Sequence, residues 1–287
     1  MIEEKLVCLE MDDASGRDKR KGWAKLEDWM AYRDLLRGLG AFVAIAIEPQ
    51  KADPEVMRFL AQNRDQFLPS VHGTVKYGHY GGQKTKAQIR EMWEWTVREI
   101  QKFGFDMGMD SNGFFIPPMH MISDNAIDVL RDRGVKSIWS ETANFPLGAR
   151  DVKNGKGEQV YALAKHVEPY TPYRGVHFYR RFRPWVMSAD LHTTQQILDA
   201  VESNRERSAH PRMNDGSFGT YLDLCVRDFR EKCWGRDATF YAHEINLGGE
   251  RPFIGVLERL ARAGLFSGIK FVDPLSFTQY HSADTAR

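Results

Sequence analysis

Short β-like runs alternate along this chain with longer segments whose apolar residues recur at helical spacing. This alternation is typical of βα units, which build a parallel sheet covered by helices. The predicted strands are Leu6–Met11, Phe42–Ile47, Phe67–Val71, Gly104–Met109, Ser137–Trp139, Trp185–Ala189, Thr239–Ala242 and Gly268–Val272. The predicted helices are Leu26–Leu39, Pro54–Gln66, Thr85–Phe103, Asp124–Arg133, Thr193–Arg205, Tyr221–Cys233 and Phe253–Ala263. About eight such units predict an α/β fold, a single distorted (β/α)7-8 barrel of parallel strands with outer helices.

Cap signals support several of these helix boundaries. Asp53 before Pro54 and Ser123 before Asp124 are typical N-caps, because their side chains accept hydrogen bonds from the first free backbone amides of a helix. Glycine tolerates the positive φ that closes a helix, and it follows the predicted helices at Gly40, Gly104, Gly134 and Gly264.

The whole chain, residues 1–287, is expected to form one domain. Its apolar residues amount to 42% of the sequence, which is enough for a large core. Residues 142–183 break the βα rhythm, because they carry Pro, Gly, Tyr and Arg but no clear helix. We predict a long loop or insertion there, and such segments are usually functional.

Charge and cysteine content exclude several classes of protein. The 40 basic and 39 acidic residues give a net charge of +1, so no overall field draws the chain to nucleic acid or an anionic membrane. Cys8, Cys225 and Cys233 have neither disulfide-framework nor zinc-knuckle spacing, which favours a reducing compartment. No signal-peptide pattern and no run of about 18 apolar residues is present. We expect a cytoplasmic protein without a membrane span or a nucleic-acid partner.

Acids and histidines follow the apolar runs of three predicted strands. Asp12 and Asp13 end the first strand, His72 ends the third, and His243 followed by Glu244 ends a late one. The carboxyl ends of parallel strands meet at one rim, where α/β folds place their sites. These residues are therefore predicted to share a site.

The residue types at this rim fit metal-assisted hydrolysis. Asp13, His72 and His79 supply one oxygen and two nitrogens, which leaves open positions on a catalytic metal such as Zn²⁺. The other carboxylate of the Asp pair is placed to take a proton from the attacking water. His243 is placed to protonate a leaving group, with the neighbouring carboxylate of Glu244 orienting it or contacting the substrate.

In order and position, these residues resemble the motifs of the polysaccharide deacetylase superfamily, the NodB-homology or carbohydrate esterase family 4 group. The resemblance implies that Asp12 is the general base, that Asp13 is a metal ligand and that His243 is the general acid. It also implies that Pro117 and Pro118 form one wall of the substrate groove. In the family pattern the second metal-binding histidine falls at Lys76 of this chain, so His79 or His120 is predicted to complete the metal site.

The same resemblance implies a substrate and a cofactor. Family members remove N-acetyl or O-acetyl groups from sugars, so the expected substrate is a sugar, or a nucleotide- or lipid-linked sugar of surface-polysaccharide biosynthesis such as O-antigen or capsule. The expected cofactor is a divalent metal, Zn²⁺ first, with Ni²⁺, Co²⁺ and Fe²⁺ as alternatives. An arginine is expected to orient Asp12, and the candidates are Arg17, Arg150, Arg174 and Arg180. Aromatic residues that could stack on a sugar ring are Trp139, Tyr170, Tyr173 and Trp185.

Two other functions fit the same sequence. The first is a glycoside hydrolase that pairs Asp12 or Asp13 with Glu141 or Glu244 and needs no metal. The second is a barrel that has lost catalysis and binds carbohydrate or a partner protein. A requirement for bound metal distinguishes the deacetylase from both of these functions. The sequence leaves the oligomeric state open.

Overall fold

The structure is a computed structural model, and it describes residues 5–16, 23–50, 52–73, 80, 84–107, 113–118, 122–140, 152–153, 159–160, 172–180, 237–248 and 251–284. The described strands are β1 Lys5–Ala14, β2 Val43–Ile47, β3 Phe67–Val71, β4 Phe114–Phe115, β5 Ser137–Ser140, β6 Val152–Lys153, β7 Gln159–Val160, β8 Pro172–Tyr173, β9 Val176–Arg180, β10 Ala238–His243 and β11 Ile269–Phe271. The described helices are α1 Leu26–Leu39, α2 Pro54–Gln62, α3 Lys86–Gln101, α4 Asp124–Asp132, α5 Pro252–Arg262 and α6 Pro274–Asp284.

The principal strands run parallel and form a distorted α/β barrel, as the sequence predicts. One sheet has the order β10-β1-β2-β3, with β11 added to the start of β1, and a second sheet has the order β4-β5-β9-β8. Strand β3 lies beside β4, where the Ser70 hydroxyl donates to the Phe114 carbonyl at 3.4 Å. Strand β9 lies beside β10, so the two sheets contact each other at both edges and form a barrel.

Alternation along β1 separates an outer and an inner core. Val7, Leu9 and Met11 belong to the large cluster that includes residues of the surrounding helices. Leu6 and Cys8 belong to a smaller cluster formed by strand residues and by Phe277 of α6, which is the barrel interior. Because side chains alternate along a strand, Glu10 and Asp12 lie on the interior side, and both are buried.

Most of the predicted helix boundaries are confirmed. Helix α1 has the predicted bounds, and Gly40 closes it with φ of +62°. Asp53 caps α2 by accepting from the amides of Glu55 and Val56, and Ser123 caps α4. No described helix is long and apolar enough to cross a membrane.

Two sequence predictions of secondary structure were wrong, and one described helix was not predicted. The strand predicted at Gly104–Met109 is not a strand over residues 104–107, where Phe105 and Met107 instead pack into the outer core from a loop. Residues 142–183 contain β9, which pairs in parallel with β5, so part of the expected loop belongs to the barrel. Helix α6 was missed. The strand predicted at 185–189 and the helices predicted at 193–205 and 221–233 lie outside the described residues.

Candidate active site

The carboxyl ends of β1, β3 and β10 bring the acids and histidines to one rim of the barrel. Asp12 pairs with His243 in the parallel register of β1 and β10. His72 follows β3, and its backbone N–H donates to the Ile47 carbonyl of β2 at 3.2 Å. The predicted residues of β1, β3 and β10 therefore meet at one end of the barrel.

Asp13 reaches this rim because the backbone of β1 leaves its regular path. The register between β1 and β2 shifts between Met11 and Ala14, and Asp13 has φ of +59°. A non-glycine residue in this left-handed region is uncommon, and such strained backbone clusters at functional sites. The shift turns the Asp13 carboxylate towards His72, with 3.3 Å between Oδ1 and Nε2.

The His72 ring is held by contacts on both nitrogens. Its Nδ1 lies 2.9 Å from the carbonyl oxygen of Ile116, which can only accept, so Nδ1 carries the hydrogen. Nε2 then faces a carboxylate oxygen, which is also an acceptor. Either a second proton or a cation must therefore lie between Nε2 and Asp13.

The two charges at this contact shift each other's pKa. Burial favours the neutral ring of His72, but the hydrogen bond to Asp13 and the negative charges of Asp12 and Asp13 raise the pKa of His72 above its ordinary value. Burial opposes ionisation of Asp13, but the hydrogen bond from His72 and the nearby charges of His72 and His243 lower the pKa of Asp13 overall. The pair favours an ionised carboxylate that faces an imidazole nitrogen.

The donor chemistry of this pair fits a divalent metal. A neutral imidazole with Nδ1–H fixed on a backbone carbonyl presents its Nε2 lone pair, which is the usual arrangement of a histidine ligand. A carboxylate oxygen and an imidazole nitrogen suit zinc and related metals. His79 and His120 lie outside the described residues, and the described part of the chain holds no group of three metal-binding side chains. The third ligand stays a prediction.

Pro118 lies beside Gly73, the residue after His72. Gly73 has φ of +150°, and a Cβ on it would lie 2.8 Å from Cγ of Pro118. Pro117 is buried, whereas Pro118 is partly exposed. Of the two prolines, Pro118 is therefore the more accessible one, and its place in a substrate groove stays a prediction.

Trp139 lies in the core of the barrel, away from solvent. Its exposed fraction is 0%, its Nε1–H donates to Ser137 Oγ at 2.9 Å, and its ring packs against Phe277 at a centroid distance of 5.2 Å. The expectation that Trp139 stacks on a sugar is therefore corrected. Side chains alternate along β5, and the side chain of Trp139 is one of those that point into the barrel interior below the rim.

Glu244 is also placed differently from the prediction. It is fully buried, and its two oxygens accept from the amides of Ser15 and Gly16, the hydroxyl of Ser15 and Nε1–H of Trp29, at 2.7 to 3.1 Å. Burial raises the pKa of Glu244 to about 7, although these hydrogen bonds lower it. Side chains alternate along β10, so the side chain of Glu244 points away from the side that His243 faces and towards α1. Glu244 is thus unsuited to contact substrate or to act as a glycosidase carboxylate.

Glu48 is a rim residue that the sequence reasoning missed. It directly follows β2, its exposed fraction is 8%, and its backbone N–H donates to the Ala14 carbonyl at 3.2 Å. Ala44, Ala46 and Glu48 alternate to the same side of β2, and the two alanines belong to the barrel interior. An acid directly after a buried apolar strand was the available signal.

Of the four arginines that could orient Asp12, only Arg174 has a described side chain, so the identity of that arginine stays a prediction. Arg174 binds Asp128 through Nε and Nη2, at 2.8 and 2.6 Å. Arg17 and Arg150 lie outside the described residues, as do Glu141, Tyr170 and Trp185, and the side chains of Tyr173 and Arg180 are not described.

By sequence, the chain matches no protein-family model and no curated protein. Its fold is similar to that of a protein from Mycobacterium smegmatis assigned to the polysaccharide deacetylases, with 11% identity, 99% of this chain and 92% of that chain covered, and a TM-score of 0.53. A mutant of a CE4 family pseudoenzyme from Bacillus anthracis with restored enzymatic activity gives 12% identity, 97% and 69% coverage and a TM-score of 0.51. A 4-alpha-glucanotransferase from Thermococcus litoralis gives 10% identity, 96% and 38% coverage and a TM-score of 0.53.

Proposed function

We propose that this chain, which has the fold of the CE4 polysaccharide deacetylases, is a metal-dependent hydrolase that removes an N- or O-acetyl group from a sugar. One observation carries the proposal. Asp13 Oδ1 lies 3.3 Å from His72 Nε2, at the rim where Asp12 and His243 are paired across neighbouring strands. We assign metal binding to Asp13 and His72, which leaves the carboxylate of Asp12 and the imidazole of His243 available for proton transfer.

In this mechanism Asp13 and His72 would hold the metal, and His79 or His120 would complete its ligand set. The bound metal would lower the pKa of a coordinated water and polarise the acetyl carbonyl. Asp12 accepts the proton of the attacking water, and its burial inside the barrel keeps competing solvent away. His243 gives a proton to the departing amine or alcohol, which completes hydrolysis of the C–N or C–O bond.

The nature of the metal and of the substrate follows from the same residues. One imidazole and one carboxylate favour Zn²⁺, with Ni²⁺, Co²⁺ and Fe²⁺ as alternatives. A net charge of +1 gives no strong attraction to a polyanion, which supports a neutral sugar. A sugar linked to a nucleotide or lipid is the alternative substrate. Surface-polysaccharide biosynthesis in the cytoplasm is the setting that we propose.

Metal content of the purified protein tests the proposal directly. We expect about one equivalent of divalent metal in the wild type, lost in both Asp13→Ala and His72→Ala, because a three-ligand site that loses one of its ligands no longer binds the metal tightly. Asp34→Ala, on the exposed surface of α1, is the matched control and should keep the metal. Metal-loaded wild type should release acetate from acetylated xylan or from hexa-N-acetylchitohexaose. A wild type that takes up no metal when it is supplied would contradict the proposal.

A glycoside hydrolase is the second candidate, since the 4-alpha-glucanotransferase shares the fold. The burial of Glu244 leaves Asp12 or Asp13 with Glu141 as the carboxylate pair for this reaction. An enzyme of this type should cleave glycosides in the presence of a chelator. A barrel that has lost catalysis would bind sugar but release neither acetate nor cleaved glycoside.

A further inference from the structure

We propose that Glu244 is a positioning residue that fixes the metal-binding segment of β1 relative to His243. The inference rests on the proposed function and adds to it a residue that touches neither metal nor substrate. Glu244 directly follows His243, whereas its carboxylate binds the loop that directly follows Asp13 and Ala14.

The first step of the argument is the irregular backbone at Asp13. Regular pairing of β1 with β2 is interrupted between Met11 and Ala14, and Asp13 has φ of +59°. Strained backbone of this kind persists only where the surroundings hold it in place. The segment therefore needs contacts beyond the strand ladder.

Glu244 supplies those contacts through both oxygens. Oε1 accepts from the Gly16 amide at 2.7 Å, and Oε2 accepts from the amide and hydroxyl of Ser15 at 2.9 and 3.0 Å. Bonds from N–H groups to a carboxylate are stronger than bonds between neutral groups. Two successive backbone amides are thereby held within three residues of Asp13.

Helix α1 fixes the carboxylate from the other side. Nε1–H of Trp29 donates to Oε1 of Glu244 at 3.1 Å, and the neighbouring Asp28 binds Arg251 Nε at 2.6 Å. The segment after β10 is thus attached to α1 at Glu244 and at Arg251. Trp29 belongs to the outer core, so the helix restrains the site from outside the barrel interior.

The close packing of the loop shows how little freedom remains. The Ser15 carbonyl accepts from the Asp53 amide at 2.7 Å, and Gly16 has φ of +61° with a virtual Cβ only 2.6 Å from Cβ of Val56. Only glycine fits this position without displacement. Movement of the Glu244 carboxylate therefore transmits to Ser15 and Gly16, and from them to Asp13.

The test compares Glu244→Gln with variants that each remove one hydrogen bond to the Glu244 carboxylate. All variants are measured at pH 8, because this lies above the Glu244 pKa of about 7 and the wild-type carboxylate is then ionised. Trp29→Phe removes one donor and keeps the aromatic packing, and Ser15→Ala removes only the hydroxyl donor. Asp128→Asn is the control, because it removes a buried carboxylate from a distant ion cluster. Three quantities are measured at a temperature where each variant is folded: hydrogen exchange of the Ser15 and Gly16 amides, Zn²⁺ affinity, and steady-state release of acetate from hexa-N-acetylchitohexaose.

In Glu244→Gln we expect at least tenfold faster exchange of both amides, at least tenfold weaker Zn²⁺ binding, and at least a 30-fold lower kcat with KM changed less than threefold. Trp29→Phe and Ser15→Ala should change the same quantities in the same direction by less. Unchanged exchange and Zn²⁺ affinity in folded Glu244→Gln would overturn the inference, as would equal changes in Asp128→Asn. If Glu244→Gln does not fold, the two single-bond variants decide by the same criteria. A wild type that releases no acetate, while Zn²⁺ affinity falls in Glu244→Gln, would refute the deacetylase reaction and support the positioning role.

Discussion

Asp12 of β1 and His243 of β10 lie directly opposite each other in the parallel register of two neighbouring strands. Asp12 is 2% exposed and His243 is partly exposed. In the proposed mechanism Asp12 and His243 are the general base and the general acid, and Asp13 of β1 and His72, the residue after β3, hold the metal. We therefore expect proton transfer and metal binding to depend on separate side chains.

Asp12→Asn should separate these two roles. The amide cannot take a proton from water, so we expect kcat for acetate release to fall by about 10² to 10⁴. Zn²⁺ stoichiometry should stay near that of the wild type, because Asp13 and His72 are unchanged. Elemental analysis and acetate release from hexa-N-acetylchitohexaose provide the two measurements. Loss of the metal together with activity would mean that Asp12 is itself a ligand.

Much of the fold was predictable because alternation and cap signals are local. The bounds of α1 and β3 follow directly from apolar spacing and from the residues that flank them. Helix α6 was not predictable in this way. Among its residues whose side chains are described, Pro274, Phe277 and Thr278 are buried, and these give no helical repeat of apolar residues that is visible in the sequence.

The site was predictable where strand topology alone decides position. Asp12, His72 and His243 lie at the rim because strands end there. The left-handed backbone at Asp13 depends on a register shift between β1 and β2, for which two adjacent acids give no signal. The Glu244 side chain points away from the barrel interior because of which face of β10 lines that interior. This is known only from the assembled barrel.

Gly73→Ala should disturb the site through Pro118. The added Cβ would lie 2.8 Å from Pro118 Cγ, at a backbone φ of +150° that side chains rarely adopt. We expect a loss of about 1 to 3 kcal/mol of unfolding free energy and weaker Zn²⁺ binding, because His72 is the preceding residue. Thermal unfolding and isothermal titration measure the two effects.

Gly38→Ala in α1 is the matched control for this substitution. Nothing lies within 4 Å of its added Cβ, so it should stabilise the helix by about 0.5 to 1 kcal/mol and leave Zn²⁺ affinity unchanged. Equal metal affinity in both alanine variants would show that Gly73 does not support the site.

Trp139→Phe should change stability and leave substrate affinity unchanged. Phenylalanine keeps an aromatic ring against Phe277 but removes the hydrogen bond to the buried Ser137 hydroxyl. We expect a destabilisation of about 1 to 3 kcal/mol from the lost bond and the lost volume. Chemical denaturation and KM for the acetylated oligosaccharide are the measurements. If Trp139→Phe has wild-type stability but a KM several-fold higher, Trp139 contacts the substrate after all.

Asp128→Asn should destabilise the protein in a pH-dependent way. The Asp128 side chain is 6% exposed and binds Arg174 and Lys86, at 2.6 and 2.8 Å, and the hydrogen bond from Arg174 is the main cause that lowers the pKa of Asp128 well below its usual range. Since the basic partners are themselves partly exposed, we expect the substitution to cost about 2 kcal/mol at neutral pH.

The sign of the pH effect follows from the direction of this pKa shift. The folded-state pKa lies below the unfolded value, so the stabilisation by Asp128 is complete above about pH 5 and is lost as the pH falls through 4 towards the folded value. The difference in Tm between the wild type and Asp128→Asn should therefore shrink between pH 5 and pH 3 at constant ionic strength. Asp124→Asn removes a 57% exposed carboxylate from the same Arg174, and it should cost less than about 1 kcal/mol at any pH. A Tm difference for Asp128→Asn that stays constant down to pH 3 would contradict the ionic role of this side chain.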